Sequence, residues 1–317
     1  AERSFENNWA GVPWVPIVVQ MSWEKLAAKL CVGDWDVGIV PQTCLFLTTA
    51  VDVQVDHFVL TTFGWDREKR GYLVRHGTVA GWDDVQEWLA TRWRHADGGP
   101  PLVSRMNLID AKDGNRKDEI VDFCRRVNRE RSPFVWPSMG ARPGTMHVQM
   151  FRKSIIDKDN NIGRKAKVGI PGIHMISVNT TMTQEWLDNA LVRRRPGDPM
   201  SLTLPCQIAG DGDLFGQLLN ERYDAEKNLW LRIDETTVPV DFRDCFRYAR
   251  TAAEVYTNGN WDRLPPQRPL PVPTRQDRRQ RQAVLETNKD QPTASIQRRG
   301  RRSFVRRPKG TFLGKPQ

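Results

Sequence analysis

The sequence lacks any long apolar run. None of its segments approaches the ~18 consecutive uncharged apolar residues that a membrane-spanning helix requires. The opening stretch AERSFENNWAG also lacks the apolar core of a signal peptide. We therefore expect a soluble, cytoplasmic protein without a membrane partner.

Paired cysteines and a phosphate loop are missing too. The five cysteines are far apart and form no CxxC pair, which argues against both a disulfide framework and a zinc site. We interpret them as buried thiols. No GxxxxGK(S/T) phosphate loop occurs in the 317 residues, so we do not expect this chain by itself to hydrolyse ATP.

The basic charge is concentrated near the end of the chain. Residues 257–317 contain fifteen Lys or Arg against four Asp or Glu, a balance of +11, which leaves −1 for residues 1–256 out of a formal net charge of +10. This segment is rich in Pro and Gln and poor in apolar residues, a composition typical of a disordered tail. We assign residues 1–43 to a connector and residues 44–256 to the folded domain.

Residues 45–55, with the sequence LFLTTAVDVQV, predict a buried strand that carries an acid. Alternation along the strand places Asp52, Gln54 and Asp56 on one face. A buried carboxylate is costly unless it is paired, hydrogen-bonded or bound to a metal, so Asp52 requires a partner. Asp56 lies ~13 Å farther along the strand, too far away to share one ion with Asp52.

The segments that follow predict an α/β fold built on a mixed sheet. Two more strands complete a three-strand antiparallel meander, after which helices alternate with parallel strands, so helices should cover both faces. Asp110 ends the fourth strand, and such sheets bind ligands beyond the carboxyl ends of their parallel strands. The further predicted strands cover residues 57–65, 72–79, 102–109, 134–136 and 201–204, and the helices cover residues 21–30, 83–96, 117–131, 184–195 and 213–223.

Two later segments carry further charged candidates. Residues 150–178 predict a basic β-hairpin inserted into this fold. Residues 241–256 predict a helix with one apolar stripe, flanked by Asp241, Asp244 and Tyr248. Of the two acids, Asp241 lies nearer the stripe.

The acids occur in the order expected of an RNase H-like nuclease, with one in the first strand, one ending the fourth strand and one in a late helix. Hydrolysis of a phosphodiester bond with two Mg²⁺ ions ~3.5 to 4 Å apart needs several hard oxygen ligands from different elements. Carboxylates meet that need. One ion would activate water and the other would stabilise the leaving 3′ oxygen.

Four phrases carry a family resemblance. The phrases AVDVQVDHFVLTTFGW, LIDAKDG and DCFRYA resemble the C-terminal nuclease domain of the large terminase subunit of lambda-like tailed bacteriophages. Upstream, FENNWAGVPW with SWEKLA resembles the segment that follows the ATPase motor of that family. The resemblance covers roughly residues 5–256.

This resemblance implies an endonuclease that cuts concatemeric viral double-stranded DNA in the host cytoplasm, with two Mg²⁺ or Mn²⁺ ions as cofactors. It also implies a portal protein and a small terminase subunit as partners. The full-length protein would contain an ATPase motor domain, and residues 1–43 would be the connector that follows it. Candidate DNA contacts on the hairpin are Arg152, Lys153, Arg164, Lys165 and Lys167.

The resemblance assigns the family's site residues to positions in this sequence. Asp52 matches the family's first acid and Asp110 matches the second. The third is either Asp241 or Asp244, since the first has the better helical phase and the second matches the DCFRYA phrase. All four are therefore candidate catalytic metal ligands, and Asp113 is a secondary candidate.

Two other functions stay open. Asp110, Ala111 and Lys112 match the D-x-K motif of restriction-type nucleases, which would also need an acid on a neighbouring strand, and Asp97 lies in a predicted loop. Alternatively, the chain is a non-catalytic adaptor of the packaging machine whose tail holds DNA or the portal protein.

Deletion of residues 265–317 should weaken binding to duplex DNA and make that binding less dependent on salt. The reason is that each cation bound to a phosphate releases counterions and contributes about −0.9 to the log-log salt slope. Metal-dependent activity at low salt should be retained. An unchanged slope after truncation would reject this role and indicate a tail that folds on a protein partner such as the portal.

Overall fold

The computed structural model describes residues 21–112, 116–130, 134–141, 149–156, 173–224, 226–227 and 229–265. This part of the chain contains one sheet of eight strands and two short sheets of two strands each. Its strands in chain order are β1 (Ile39–Val40), β2 (Phe46–Val53), β3 (Phe58–Trp65), β4 (Gly71–Val79), β5 (Arg94–His95), β6 (Ser104–Asp110), β7 (Val135–Gly140), β8 (Phe151–Ile156), β9 (Ile173–Val178), β10 (Leu202–Thr203), β11 (Glu221–Asp224) and β12 (Leu229–Arg232).

The eight-stranded sheet has the spatial order β10-β4-β3-β2-β6-β7-β9-β8. Strands β2, β3 and β4 form the predicted antiparallel meander. On the other side of β2, strands β6, β7 and β9 follow in parallel, and β8 closes the edge antiparallel to β9. The predicted mixed α/β sheet is thus confirmed, and it is consistent with an RNase H-like fold.

Helices cover both faces of this sheet, as two hydrogen-bond paths demonstrate. On one face, Thr48 Oγ1 donates to the carbonyl of Ala249 at 2.8 Å. On the opposite face, the neighbouring Thr49 contacts Thr62, which in turn accepts from the indole of Trp88. The α-helices of the described residues are α1 (Trp23–Leu30), α2 (Trp82–Ala90), α3 (Lys117–Glu130), α4 (Thr180–Asp188), α5 (Gly212–Leu219) and α6 (Asp241–Thr257). Among these, none is long and apolar enough to cross a membrane.

Strand β2 and helix α6 form the centre of the domain. Seven of the eight residues of β2 are buried, because the strand has a neighbour on each side and a helix layer on each face. In α6, fourteen of the seventeen residues are buried. The helix packs on β2, β3 and β6 with one side and on α4 and α5 with another.

The described part of the connector packs on this domain. Ser22 caps α1 as predicted, with its hydroxyl accepting from the backbone N–H of Lys25 at 3.5 Å. Leu26 and Leu30 are fully buried in the same core as the sheet. The backbone N–H of Gly33 then donates to the carbonyl of Leu204 at 2.9 Å, so the segment is hydrogen-bonded to the domain as well.

Two predicted helices are shorter in the structure. Helix α2 ends at Ala90, because Trp93 forms a β-bridge with Leu102 and β5 pairs with β1. Helix α5 ends at Leu219, and the chain continues into the hairpin of β11 and β12, which the sequence did not predict. The arms of the predicted basic hairpin are β8 and β9 of the main sheet, and its turn lies outside the described residues.

All five cysteines are unpaired, and four of them are buried as expected. The prediction is wrong for Cys206, which is exposed. This residue starts a single 3-10 turn near the surface, and its thiol donates to the carbonyl of Cys31 at 3.2 Å.

The packed chain extends beyond the predicted domain boundary at residue 256. Helix α6 ends at Thr257, and Asn258 caps it in the left-handed conformation, with φ of 50°. Trp261 then packs back on the domain and is only 4% exposed. Its indole N–H donates to Glu254 at 3.0 Å, and the guanidinium of Arg250 lies 4.8 Å from the centre of its ring.

Trp261→Ala should lower the free energy of unfolding by about 3 to 5 kcal/mol, because truncating a buried Trp leaves a cavity. A chain that ends at residue 257 should be destabilised to a similar extent, whereas a chain that ends at residue 265 keeps this contact and serves as the control. Urea denaturation measures all three. Equal stability of the two truncated chains would contradict the role given to Trp261.

Candidate active site

The carboxyl ends of β2 and β6 place two predicted acids side by side. The strands are parallel neighbours in which Val51 pairs with Ile109, so Asp52 and Asp110 follow at matching positions. Neighbouring strands lie only ~4.8 Å apart. The sheet itself therefore holds both carboxylates at the edge where parallel strands bind ligands.

The start of α6 supplies two more acids. The helix begins at Asp241, and both Asp241 and Asp244 lie in its first turn, where the helix dipole favours negative charge. The hydrogen bond between Thr48 and the carbonyl of Ala249 fixes α6 against β2. As a result, carboxylates from a central strand, a neighbouring strand end and a helix start converge.

All four acids line one open cleft with a volume of about 580 Å³. Residues 235–239, in the loop between β12 and α6, form another part of its wall. In the part of the chain that the structure describes, the ionisable groups that line the cleft are the carboxylates of Asp52, Asp110, Glu235, Asp241 and Asp244 and the cationic side chains of Lys112 and Arg232. Negative charge therefore dominates the site.

Asp52 is the most perturbed acid of the cleft. Its side chain is only 6% exposed, and burial raises its pKa well above the usual range. The negative charges of Asp244, Asp110 and Asp241, in that order, raise the pKa further. The amide of Gln54 opposes this shift by donating a 2.8 Å hydrogen bond to Asp52.

Asp110 shares this environment but has more donors. Burial and then the charge of Asp244 raise its pKa to about 6. The buried hydroxyl of Tyr248 donates to Asp110 at 3.0 Å, and the backbone N–H of Lys112 donates to the same carboxylate at 3.2 Å. Tyr248 lies one helical turn after Asp244, so α6 both supplies an acid and orients another.

Asp244 and Asp241 differ in their contacts. Asp244 forms an ion pair with Arg247, whose side chain is 8% exposed. After burial, the charge of Asp244 is the largest cause of the raised pKa of both Asp52 and Asp110. Burial and the charge of Asp244 raise the pKa of Asp241, which the charges of His57 and Arg232 lower.

The wall formed by residues 235–239 is held by Asn220. The amide of Asn220 donates to the carbonyls of Asp234 at 2.8 Å and of Val238 at 2.5 Å, and it accepts from the backbone of Asp234 at 2.8 Å. The carboxylate of Asp234 accepts from the backbone N–H groups of Thr236 and Thr237, both at 2.9 Å. The sequence DETT is typical of such an Asp-initiated turn, so this part of the wall could have been predicted from the sequence.

The chemistry of these donors fits a hard divalent cation. Carboxylate oxygens are the ligands that Mg²⁺ and Mn²⁺ prefer, and a cation would relieve the mutual repulsion that raises the pKa of Asp52. In the described part of the chain, no three His, Cys, Asp or Glu side chains are already arranged to hold an ion. The acids instead contact protein donors, which are Gln54 for Asp52, Tyr248 for Asp110 and Arg247 for Asp244.

The other predicted residues lie elsewhere. Asp56 is exposed and contacts His57, away from the cleft as expected. Arg152 and Lys153 are on β8 at the edge of the sheet, where the ammonium of Lys153 lies 5.1 Å from the centre of the Trp136 ring. The candidates Asp113, Arg164, Lys165 and Lys167 fall outside the described residues.

Several residues of the site were not predicted from the sequence. Gln54 shares the predicted strand face of Asp52, and Tyr248 was placed on the flank of Asp244, but neither was assigned a role. Arg232 was missed because the hairpin of β11 and β12 was not predicted.

One comparison with known proteins gave a match. A family model described as the endonuclease domain of terminase large subunit gpA matches residues 2–261. Searches of curated proteins and of solved structures found no match.

Asp52→Asn should raise the melting temperature of the metal-free protein. The substitution removes one of several like charges and keeps an acceptor for Gln54. Each kcal/mol of repulsion relieved should raise the melting temperature by about 2 to 4 °C in a domain of this size.

The pH dependence of this gain follows from the raised pKa. Above the unfolded pKa, the unfolded state ionises Asp52 readily while the folded state resists ionisation, so the wild-type residue costs stability at high pH. The gain should therefore be larger at about pH 8 than at about pH 4. Asp56→Asn is the control and should change little, because Asp56 is an exposed acid in the turn between β2 and β3. A lower melting temperature for Asp52→Asn would contradict the repulsion.

Proposed function

The chain belongs to the family of terminase large subunit gpA endonuclease domains, and on that premise we propose how it acts. It cuts concatemeric viral double-stranded DNA during genome packaging, by metal-dependent hydrolysis of phosphodiester bonds. Membership of this family implies a nuclease role in packaging. The single observation that carries the proposal is the convergence of four carboxylates from β2, β6 and α6 on one open cleft.

Hydrolysis by water is the chemistry that the cleft supports best. Among the described residues that line it, there is no Ser, Cys or His that could serve as a covalent nucleophile. Two lining threonines, Thr236 and Thr237, have hydroxyls that contact the carboxylate of Asp234. A phosphate in the cleft would therefore meet carboxylates and water rather than a protein nucleophile.

We assign Asp52, Asp110 and Asp244 as the direct ligands of two Mg²⁺ or Mn²⁺ ions. The positions of the acids support this choice, because Asp52 and Asp110 follow paired residues at the ends of neighbouring strands and the charge of Asp244 raises the pKa of both. Asp241 is then an outer ligand that acts through water. When bound, the two ions would supply an activated water and stabilisation of the leaving 3′ oxygen.

The remaining side chains of the site hold the ligands in place. Gln54 orients Asp52, Tyr248 orients Asp110, and Arg247 orients Asp244. Residues of this kind tune the affinity of a metal site without contacting the ion.

The proposed partners are those that the family implies. We propose that the viral DNA is delivered by an ATPase motor domain of the full-length protein, and that the portal protein and the small terminase subunit position the machine. The whole reaction would take place in the host cytoplasm. The DNA contacts assigned to Arg152 and Lys153 on β8, and to Arg164, Lys165 and Lys167 beyond it, are part of this proposal.

A restriction-type mechanism has one observation in its favour. Lys112 lines the cleft, and Asp52 on the neighbouring strand supplies the second acid that a D-x-K site needs. The two acids from α6 favour the RNase H-like assignment, because a D-x-K site does not require them.

Cleavage should occur with Mg²⁺ or Mn²⁺, show little sequence preference and stop in excess EDTA. Asp52→Asn and Asp244→Asn should each reduce cleavage by at least about 1,000-fold, because they remove a direct ligand and several kcal/mol of charge stabilisation. Asp241→Asn should cost only about 10- to 100-fold. Nicking of supercoiled DNA measures these rates. Cleavage that survives EDTA would overturn the metal-dependent mechanism, and a larger loss for Asp241→Asn than for Asp244→Asn would overturn the assignment of the third ligand.

A further inference from the structure

We propose that Lys112 and Arg232 bind the backbone phosphates of DNA that flank the scissile one. This inference rests on the proposed nuclease function and adds the residues that position its substrate. The two side chains are then positioning groups on the rim of the acidic cleft, and neither takes part in the hydrolysis itself.

The charge of the cleft creates the need for such groups. Among the described residues, five carboxylates line it with a formal charge of −5. DNA carries one negative charge per phosphate, so these carboxylates would repel the strand that the cleft must hold. Two divalent cations would still leave a charge of −1. Only the two cationic side chains of the lining, Lys112 and Arg232, bring the total to +1, so the attraction of DNA phosphates depends on them.

These two cations differ from the arginines of α6. Arg243, Arg247 and Arg250 are buried and form ion pairs with Glu221, Asp244 and Glu254. Across the described ranges, neither Lys112 nor Arg232 forms an ion pair or a side-chain hydrogen bond with another residue. Their donors are thus available for a ligand.

The two cations line the cleft from different elements. Lys112 lies two residues after Asp110, just past the end of β6, whereas Arg232 ends β12, from which residues 235–239 lead to Asp241 at the start of α6. A DNA strand that lies along the acids would therefore meet Lys112 near one end and Arg232 near the other.

Both cations project from well-fixed backbone. The backbone N–H of Lys112 donates to Asp110, which links its position to the site. Arg232 ends β12, where it pairs with Glu221, and the next residue donates its N–H to the carbonyl of Asn220 at 3.0 Å. A guanidinium held at the end of a strand in this way suits the bidentate geometry of a phosphate.

The test is the salt dependence of DNA binding by the full chain. Binding of a short fluorescent duplex is measured by anisotropy with Ca²⁺, a divalent ion that also binds carboxylates, in place of Mg²⁺. Lys112→Ala and Arg232→Ala should each weaken binding and reduce the log-log salt slope by about 0.9, and the double variant should reduce it by about 1.8. Lys227→Ala is the control, since Lys227 lies in the turn of the same hairpin and does not line the cleft.

Activity and metal binding provide the second readout. Each variant should raise the KM for DNA and keep kcat, and Mn²⁺ binding measured by calorimetry should match the wild type. An unchanged salt slope in the double variant would overturn the proposal. A large fall in kcat for Lys112→Ala with an unchanged slope would overturn it too, in favour of a D-x-K lysine. A reduced slope in a protein whose wild type does not cut DNA would support the phosphate contacts and reject the nuclease function alone.

Discussion

Repulsion among carboxylates is the constraint on which this structure depends. Burial and the charges of Asp244 and Asp110 raise the pKa of Asp52, and burial and the charge of Asp244 raise the pKa of Asp110, an arrangement that costs folding free energy. The packing of the two most buried elements, β2 and α6, offsets this cost. Strand β2 is paired on both sides and covered on both faces, and α6 is buried over most of its surface. The fold thus gives up stability to hold these like charges together, as functional sites commonly do.

Helix α6 is buried on two faces, one apolar and one charged. Its apolar stripe packs on the sheet, while Arg243, Arg247 and Arg250 are buried with carboxylate partners. Breaking one such pair would leave an uncompensated buried charge, so the network is costly to disturb. Through Arg247 this network reaches Asp244, and through Tyr248 the helix reaches Asp110. Helix α6 therefore orients an acid of its own, Asp244, and the acid that ends β6, Asp110.

The sequence predicted those features that depend on local periodicity. Alternation placed Asp52 on a buried strand, and the end of an apolar run placed Asp110 at a carboxyl end, because both signals are carried by neighbouring residues. The choice between Asp241 and Asp244 could not be made in this way. The helical phase favoured Asp241 on the assumption that only the apolar stripe is buried, whereas the arginine face of α6 is buried too and Asp244 is paired with Arg247 on that face. Arg232 and the wall of residues 235–239 depend on Asn220, a long-range contact without a periodic signal.

The central claim is that Asp52, Asp110 and Asp244 share two divalent ions, and the most direct measurement is a crystal soaked in Mn²⁺ and recorded at the manganese absorption edge. The account predicts two anomalous peaks in the cleft, coordinated by these three carboxylates, with Asp241 contacting an ion only through water. Peaks that are absent from the cleft, or a single ion held without Asp244, would contradict it.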